Sequence, residues 1–238
     1  MKRFFRQYGR LTLALAAVLA FCAVLPLLFQ QSRSIETGSW GLSFRTEGQP
    51  PVGNASKEAL RRYDAVYLGS GVVGMDLAGA EGIVPLRNFH PIFDLARELA
   101  LPFTCHAGDS QGPDTVRDAL DFGAKRIGHG HHIFDDPVLW PRAIEAGVTL
   151  EICPTSNIQC KTQPSYALHP AKKLLDAGLR VCISTDNMTL AAVTLEDEYR
   201  HCIADMGFTP DDLQTMAHFA LDAAFLPEQE KRALAGKI

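Results

Sequence analysis

From Val72 onward the chain alternates short apolar runs with amphipathic stretches. The runs are VVGMDLAG (72–79), LPFTCHAG (101–108), KRIGHG (125–130), VTLEICPTSN (148–157) and RVCISTDN (180–187). Each is followed by enough residues for a loop and a helix, the layout of consecutive βα units in a parallel sheet. Helical spacing recurs between them, at Phe89, Ile92, Phe93 and Ala96, at Val116, Ala119 and Leu120, and at Ala171, Leu174 and Leu175, the last closed by Gly178. Thr209 ahead of Pro210, Asp211 and Asp212 is a helix start signal for a segment reaching Phe225. Apolar positions 59, 60, 63, 66 and 67 predict one more helix, ended by Gly69, so a compact domain is expected over 56–238.

The first 55 residues have a different texture. Lys2, Arg3, Arg6 and Arg10 precede LTLALAAVLAFCAVLPLLF (11–29), 19 positions without a charge. That is long enough to span a bilayer as a helix, and basic residues ahead of it predict a signal anchor with the amino terminus inside. A cleaved signal peptide and a buried core helix are the competing readings of the same run. Residues 31–55, rich in Gln, Ser, Gly and Pro, read as a linker. The expected organisation is therefore a transmembrane-like helix over 1–30, a linker over 31–55 and a catalytic domain over 56–238.

Composition narrows the partners. In 238 residues, 47% are apolar and 21% charged, which is globular rather than disordered. A formal charge of -4 leaves no basic footprint for phosphates, so nucleic acid is disfavoured as a partner. The six cysteines, at 22, 105, 153, 160, 182 and 202, include no CxxC pair. Cys105, Cys153 and Cys182 sit in apolar runs where a thiol behaves as a small hydrophobe, which points to a reducing compartment and opposes the export signal of the leader.

Candidate chemistry falls at the carboxyl ends of the apolar runs: Asp76 and Glu81, His106 and Asp109, His129, Ser156 and Asn157, Asp186 and Asn187. In α/β sheets and barrels that edge carries active sites. Taken singly, His106 is an ordinary satisfied polar residue and Asp186 a turn cap. Together, imidazole and carboxylate on successive strand ends predict a metal site, with Zn2+ favoured over the oxygen-seeking Ca2+ and Mg2+. His131 and His132, which form HxH with His129, read as a surface turn.

In this order, DLAG (76–79), HAGD (106–109), RIGHG (126–130), LEICPTSN (150–157), HP (169–170) and STDN (184–187) resemble the adenosine deaminase family, metal-dependent (β/α)8 hydrolases that convert adenosine to inosine and ammonia. The likeness covers roughly 57–238. It implies that His106 and Asp186 are zinc ligands, that Asp109 stands where the family has a Glu carrying a proton to purine N1, and that His129 orients and helps deprotonate the attacking water. It further implies that the Gly79 backbone meets purine N3 and that Asn187, in place of an aspartate, faces N7. Asp109 is one methylene shorter than Glu, about 1.5 Å of lost reach. The amide of Asn187 always has a proton to donate, which an aspartate does not. The HxE and PCxxC motifs of cytidine-type deaminases are absent.

The family's first strand bears an HxH that completes the zinc site, and residues 1–56 contain no histidine. The fold expected by resemblance is thus a partial TIM-type (β/α)8 barrel, strands four to eight only, preceded by an N-terminal hydrophobic helix. Two protein ligands are too few for a zinc site that normally has three plus water, so weak zinc binding and poor turnover are expected of this chain. A small-molecule purine nucleoside is the implied partner. Two other readings stand beside the adenosine one: a membrane-tethered purine-binding remnant without turnover, and another purine deaminase, such as one acting on adenine or aminofutalosine. The family implies a cytoplasmic protein, and the leader a single-pass membrane protein.

Overall fold

The computed structural model describes residues 73–238. The leader over 11–29, the linker and the helix expected near 59–67 lie outside the described residues. Among those described, no helix is long and apolar enough to cross a membrane.

Five parallel strands form one sheet in chain order: β1 (Met75–Leu77), β2 (Phe103–Ala107), β3 (Arg126–His129), β4 (Thr149–Ile152) and β5 (Arg180–Ile183). Each falls inside one of the five apolar runs. Helices alternate with them, so the α/β repeat of a (β/α)8 barrel is present from β1 to β5. In order they are α1 (His90–Glu98), α2 (Pro113–Phe122), α3 (Trp140–Ala146), α4 (Pro154–Gln159), α5 (Ala171–Asp176), α6 (Met188–Ala191), α7 (Leu195–Asp205), α8 (Pro210–Ala223) and α9 (Glu228–Ala235).

Side chains alternate across the sheet with period two. Phe103, Cys105, Ala107, Ile127, Leu150, Ile152, Val181 and Ile183 enter the hydrophobic core with Phe93 of α1, Val116 and Ala119 of α2 and Leu174 of α5. Alternate positions are polar and satisfy one another: Thr104 Oγ1 donates to Glu151 Oε2 at 2.8 Å and Arg126 Nε to Glu151 Oε1 at 2.8 Å. The helix ends follow local chemistry. Gly123 closes α2 in the left-handed region, and Thr194 and Thr209 open α7 and α8 with full capping boxes. Burial pushes the thiols of Cys105 and Cys182 up to about 12, leaving them packing groups rather than nucleophiles.

The expectation of a surface turn at 131–132 is corrected. His131 opens a 3-10 helix, His131–Asp135, and is fully buried. Gly130, at φ 72°, turns the chain inward after β3, and His132 N–H donates to Gly108 O at 3.1 Å, holding the segment beneath β2.

Candidate active site

The residues singled out from the sequence gather at the carboxyl edge of the sheet because each ends, or directly follows, a strand. The register pairs His106 with Gly128, and a Cβ at Gly128 would lie 2.7 Å from His106 Cδ2. Only glycine on β3 leaves room for that imidazole. The His106 and His129 rings then meet edge to face, with centroids 4.7 Å apart. His129 and Asp186 both hold positive φ, 63° and 55°, a region costly for non-glycine residues and common where function over-determines the backbone.

Asp109 and His129 are neighbours, with Oδ1 and Nδ1 3.7 Å apart. Asn157, on α4, bridges them: its Nδ2 lies 2.8 Å from Asp109 Oδ1 and 3.1 Å from His129 Nδ1. Thr162 Oγ1 donates to the same Asp109 oxygen at 3.0 Å. Behind them His169 Nε2 lies 3.2 Å from Asn157 Oδ1, while its Nδ1 accepts from Ala171 N–H at 3.2 Å. The backbone of Asp109 is pinned by Glu81, whose two oxygens accept from the N–H groups of Asp109 and Gln111, each at 3.0 Å. Burial raises the Glu81 carboxyl, partly opposed by those two N–H donors. Burial also lowers His129 below the ordinary imidazole value, against the pull of the Asp109 carboxylate. His106 and Asp186 act electrostatically on the same ring, so all three share this edge.

The remaining predicted residues sit at the periphery. Gly79 N–H donates to His106 Nδ1 at 3.4 Å. Asp186 Oδ2 accepts from Ser156 Oγ at 2.6 Å. Asn187 caps α6, accepting from Leu190 N–H at 2.9 Å, and touches none of the others by a hydrogen bond among the described residues. Thr162 and His169 belong to the cluster although sequence reasoning assigned them no role. The HP string at 169–170 was the one visible signal.

Among the described residues no group of three or more His, Cys, Asp or Glu is arranged to hold a metal ion, and residues 1–72 carry no histidine.

The family model for adenosine deaminase matches residues 44–238, beginning within the segment read as a linker. An adenosine deaminase of Haemophilus ducreyi is 37% identical over 183 residues, 77% of this chain and 52% of that protein. An adenine deaminase of Agrobacterium fabrum is 39% identical over 168 residues, 70% of this chain and 52% of that one. Among solved structures, adenine deaminase from Arthrobacter aurescens superposes with a TM-score of 0.69 at 25% identity, covering 77% of this chain and 57% of that one. An amidohydrolase from Burkholderia ambifaria, solved with bound Zn, gives 0.69 at 26% identity, covering 76% and 51%. The chain spans about half the length of the curated relatives it matches.

Proposed function

The chain belongs to the adenosine deaminase family, and from that premise we propose that it carries the proton-handling part of a site for hydrolytic deamination of a 6-aminopurine. The reaction adds water at C6 and expels ammonia, turning adenosine into inosine. The observation that carries this reading is the contact of Asp109 with His129, joined through Asn157 at one strand edge.

In this assignment the Asp109 carboxyl carries a proton to ring N1, which makes C6 electrophilic. His129 holds the attacking water, and the proton released from that water goes by way of Asp109 to the departing amine. The Gly79 N–H, on leaving its long 3.4 Å contact with His106 Nδ1, meets N3, and the Asn187 side-chain N–H2 meets N7. His106 and Asp186 are the residues that would face a metal, and among the described residues no third ligand joins them. Relatives that carry the name adenine deaminase favour adenine as a second substrate beside adenosine.

Calorimetry and ammonia release on the purified 238-residue chain test the reading. Purine riboside should bind and should stop binding in Asp109→Ala. Zinc should fall well below one ion per chain on dialysis, with only trace ammonia from adenosine or adenine. A wild-type chain that binds neither purine nor its riboside overturns the proposed site. Stoichiometric zinc surviving dialysis overturns its incompleteness.

A further inference from the structure

Asn157 is fully buried and makes more polar contacts than any residue assigned a role by resemblance. Each contact has a forced direction. Ala171 N–H can only donate, so His169 Nδ1 accepts and the neutral ring carries its proton on Nε2. That Nε2–H donates to Asn157 Oδ1 at 3.2 Å. With its oxygen committed, the Asn157 amide turns its two N–H bonds the other way, one to Asp109 Oδ1 at 2.8 Å and one to His129 Nδ1 at 3.1 Å. His129 therefore accepts at Nδ1, and its own proton sits on Nε2.

The backbone reinforces this order. Asn157 O accepts from the N–H groups of Thr162 and Gln163, at 2.9 and 3.0 Å, and this turn brings Thr162 Oγ1 onto Asp109 Oδ1. Asp109 Oδ1 thus receives the Asn157 N–H and shares the single Thr162 hydroxyl proton with Asn157 O, which lies 3.1 Å from Thr162 Oγ1, while Oδ2 accepts none from the described residues. His129 and His169 are both buried, so a reversed tautomer would leave an unmatched donor or acceptor away from water.

We propose that Asn157, oriented by His169, is the positioning residue of this site: it fixes the His129 proton on Nε2 and turns Asp109 so that Oδ2 is the oxygen left for proton exchange. His129 then meets the attacking water as a hydrogen-bond donor, and the base role that the family resemblance gives it passes to Asp109. The mechanistic half of this inference rests on the proposed deaminase reading, whereas the tautomer order rests on the hydrogen bonds alone.

Long-range proton–nitrogen correlation on the 15N-labelled full chain, at a pH above the ordinary imidazole range, reads the tautomer of each of the eight histidines. Loss of signals in His129→Gln and His169→Gln assigns the two rings. Both should show protonated Nε2 and bare Nδ1. In Asn157→Asp the donor becomes an acceptor, and the His129 proton should move to Nδ1. In His169→Phe the Asn157 amide loses the donor that orients it and His129 should show mixed tautomers, while His169→Gln, which still offers an N–H, should restore the single Nε2–H form. Nδ1–H on wild-type His129 overturns the inference, as does an unchanged tautomer in folded Asn157→Asp. Should the variants fail to fold, the wild-type spectrum decides. Purine binding and ammonia release do not enter this readout, so a failed deaminase reading leaves a distinct mark.

Discussion

The centre and the flanks of the strand edge are built differently. At the centre, after β2, β3 and β4, Asp109, His129, Asn157, Thr162 and His169 form one hydrogen-bonded cluster. At the flanks, Gly79 after β1 and Asn187 after β5 are exposed, and Asp186 is held by one serine hydroxyl. Buried middle strands supply walls on both sides of a polar group, so its partners can be fixed by the chain itself. Among the described residues, the outer strands β1 and β5 supply a wall on one side only. Under the proposed reading, the groups assigned to proton transfer are held by several of the chain's own hydrogen bonds, and His106 and Asp186 by one each.

The strongest way to break that contrast is to empty the centre without changing its shape. Asn157→Leu keeps the volume but strands the His169 N–H and removes a donor from both Asp109 and His129. At roughly 1–3 kcal/mol for each buried group left unmatched, a loss of about 3–5 kcal/mol is expected in urea unfolding. A loss under about 1 kcal/mol would show that the cluster is solvated and only looks closed.

How much of this was legible follows from the range of the interactions. Strands and helices were readable because their signals are local: apolar runs, Gly178 as a stop, Thr209 ahead of Pro210, Asp211 and Asp212 as a start. The site edge was readable because polar residues recur at equivalent places on successive runs. The Asn157 network was not, since its partners stand 12, 28 and 48 residues away and nothing periodic links them. His131 misled for a related reason. A histidine after a glycine reads as an outward turn, whereas Gly130 here sends it into the core.

Buried histidines also give the centre a pH signature. Burial holds His131 down at about 2, with His132, His169 and His129 opposing its charge and the Thr162 backbone favouring it; neither ring nitrogen makes a hydrogen bond of good geometry. Burial holds His169 down at about 4, with His132 adding to the effect. Both lie below the ordinary 6.5. Between the folded and unfolded values the unfolded chain binds more protons, so stability is full above about pH 6.5 and is lost as pH falls. The slope should reach about 1.4 kcal/mol per pH unit for each ring, about 2.7 for the pair. His169→Gln should lower the slope by about 1 kcal/mol per pH unit between pH 6 and 5, a window set by the ordinary imidazole value. Urea midpoints measured across that window check the sign, and a flat profile would mean that both rings admit water.

The flank gives the smallest effect and the cleanest control, because the residue type is the same as at the centre. Asn187 is exposed, and its side chain makes one hydrogen bond, to the N–H of Leu190 at the start of a four-residue helix. Asn187→Ala removes a helix cap and strands no other side chain, so about 1 kcal/mol is expected. If Asn187 also meets purine N7, the same variant should weaken purine riboside binding on the order of tenfold, the worth of one neutral hydrogen bond. Asn187→Asp restores the cap but offers N7 a carboxylate in place of an N–H donor. It should therefore recover stability, with affinity returning only as far as the carboxyl carries a proton, and an Asn187→Ala variant that loses stability but keeps wild-type affinity would show that the residue acts on the loop and not on the ligand.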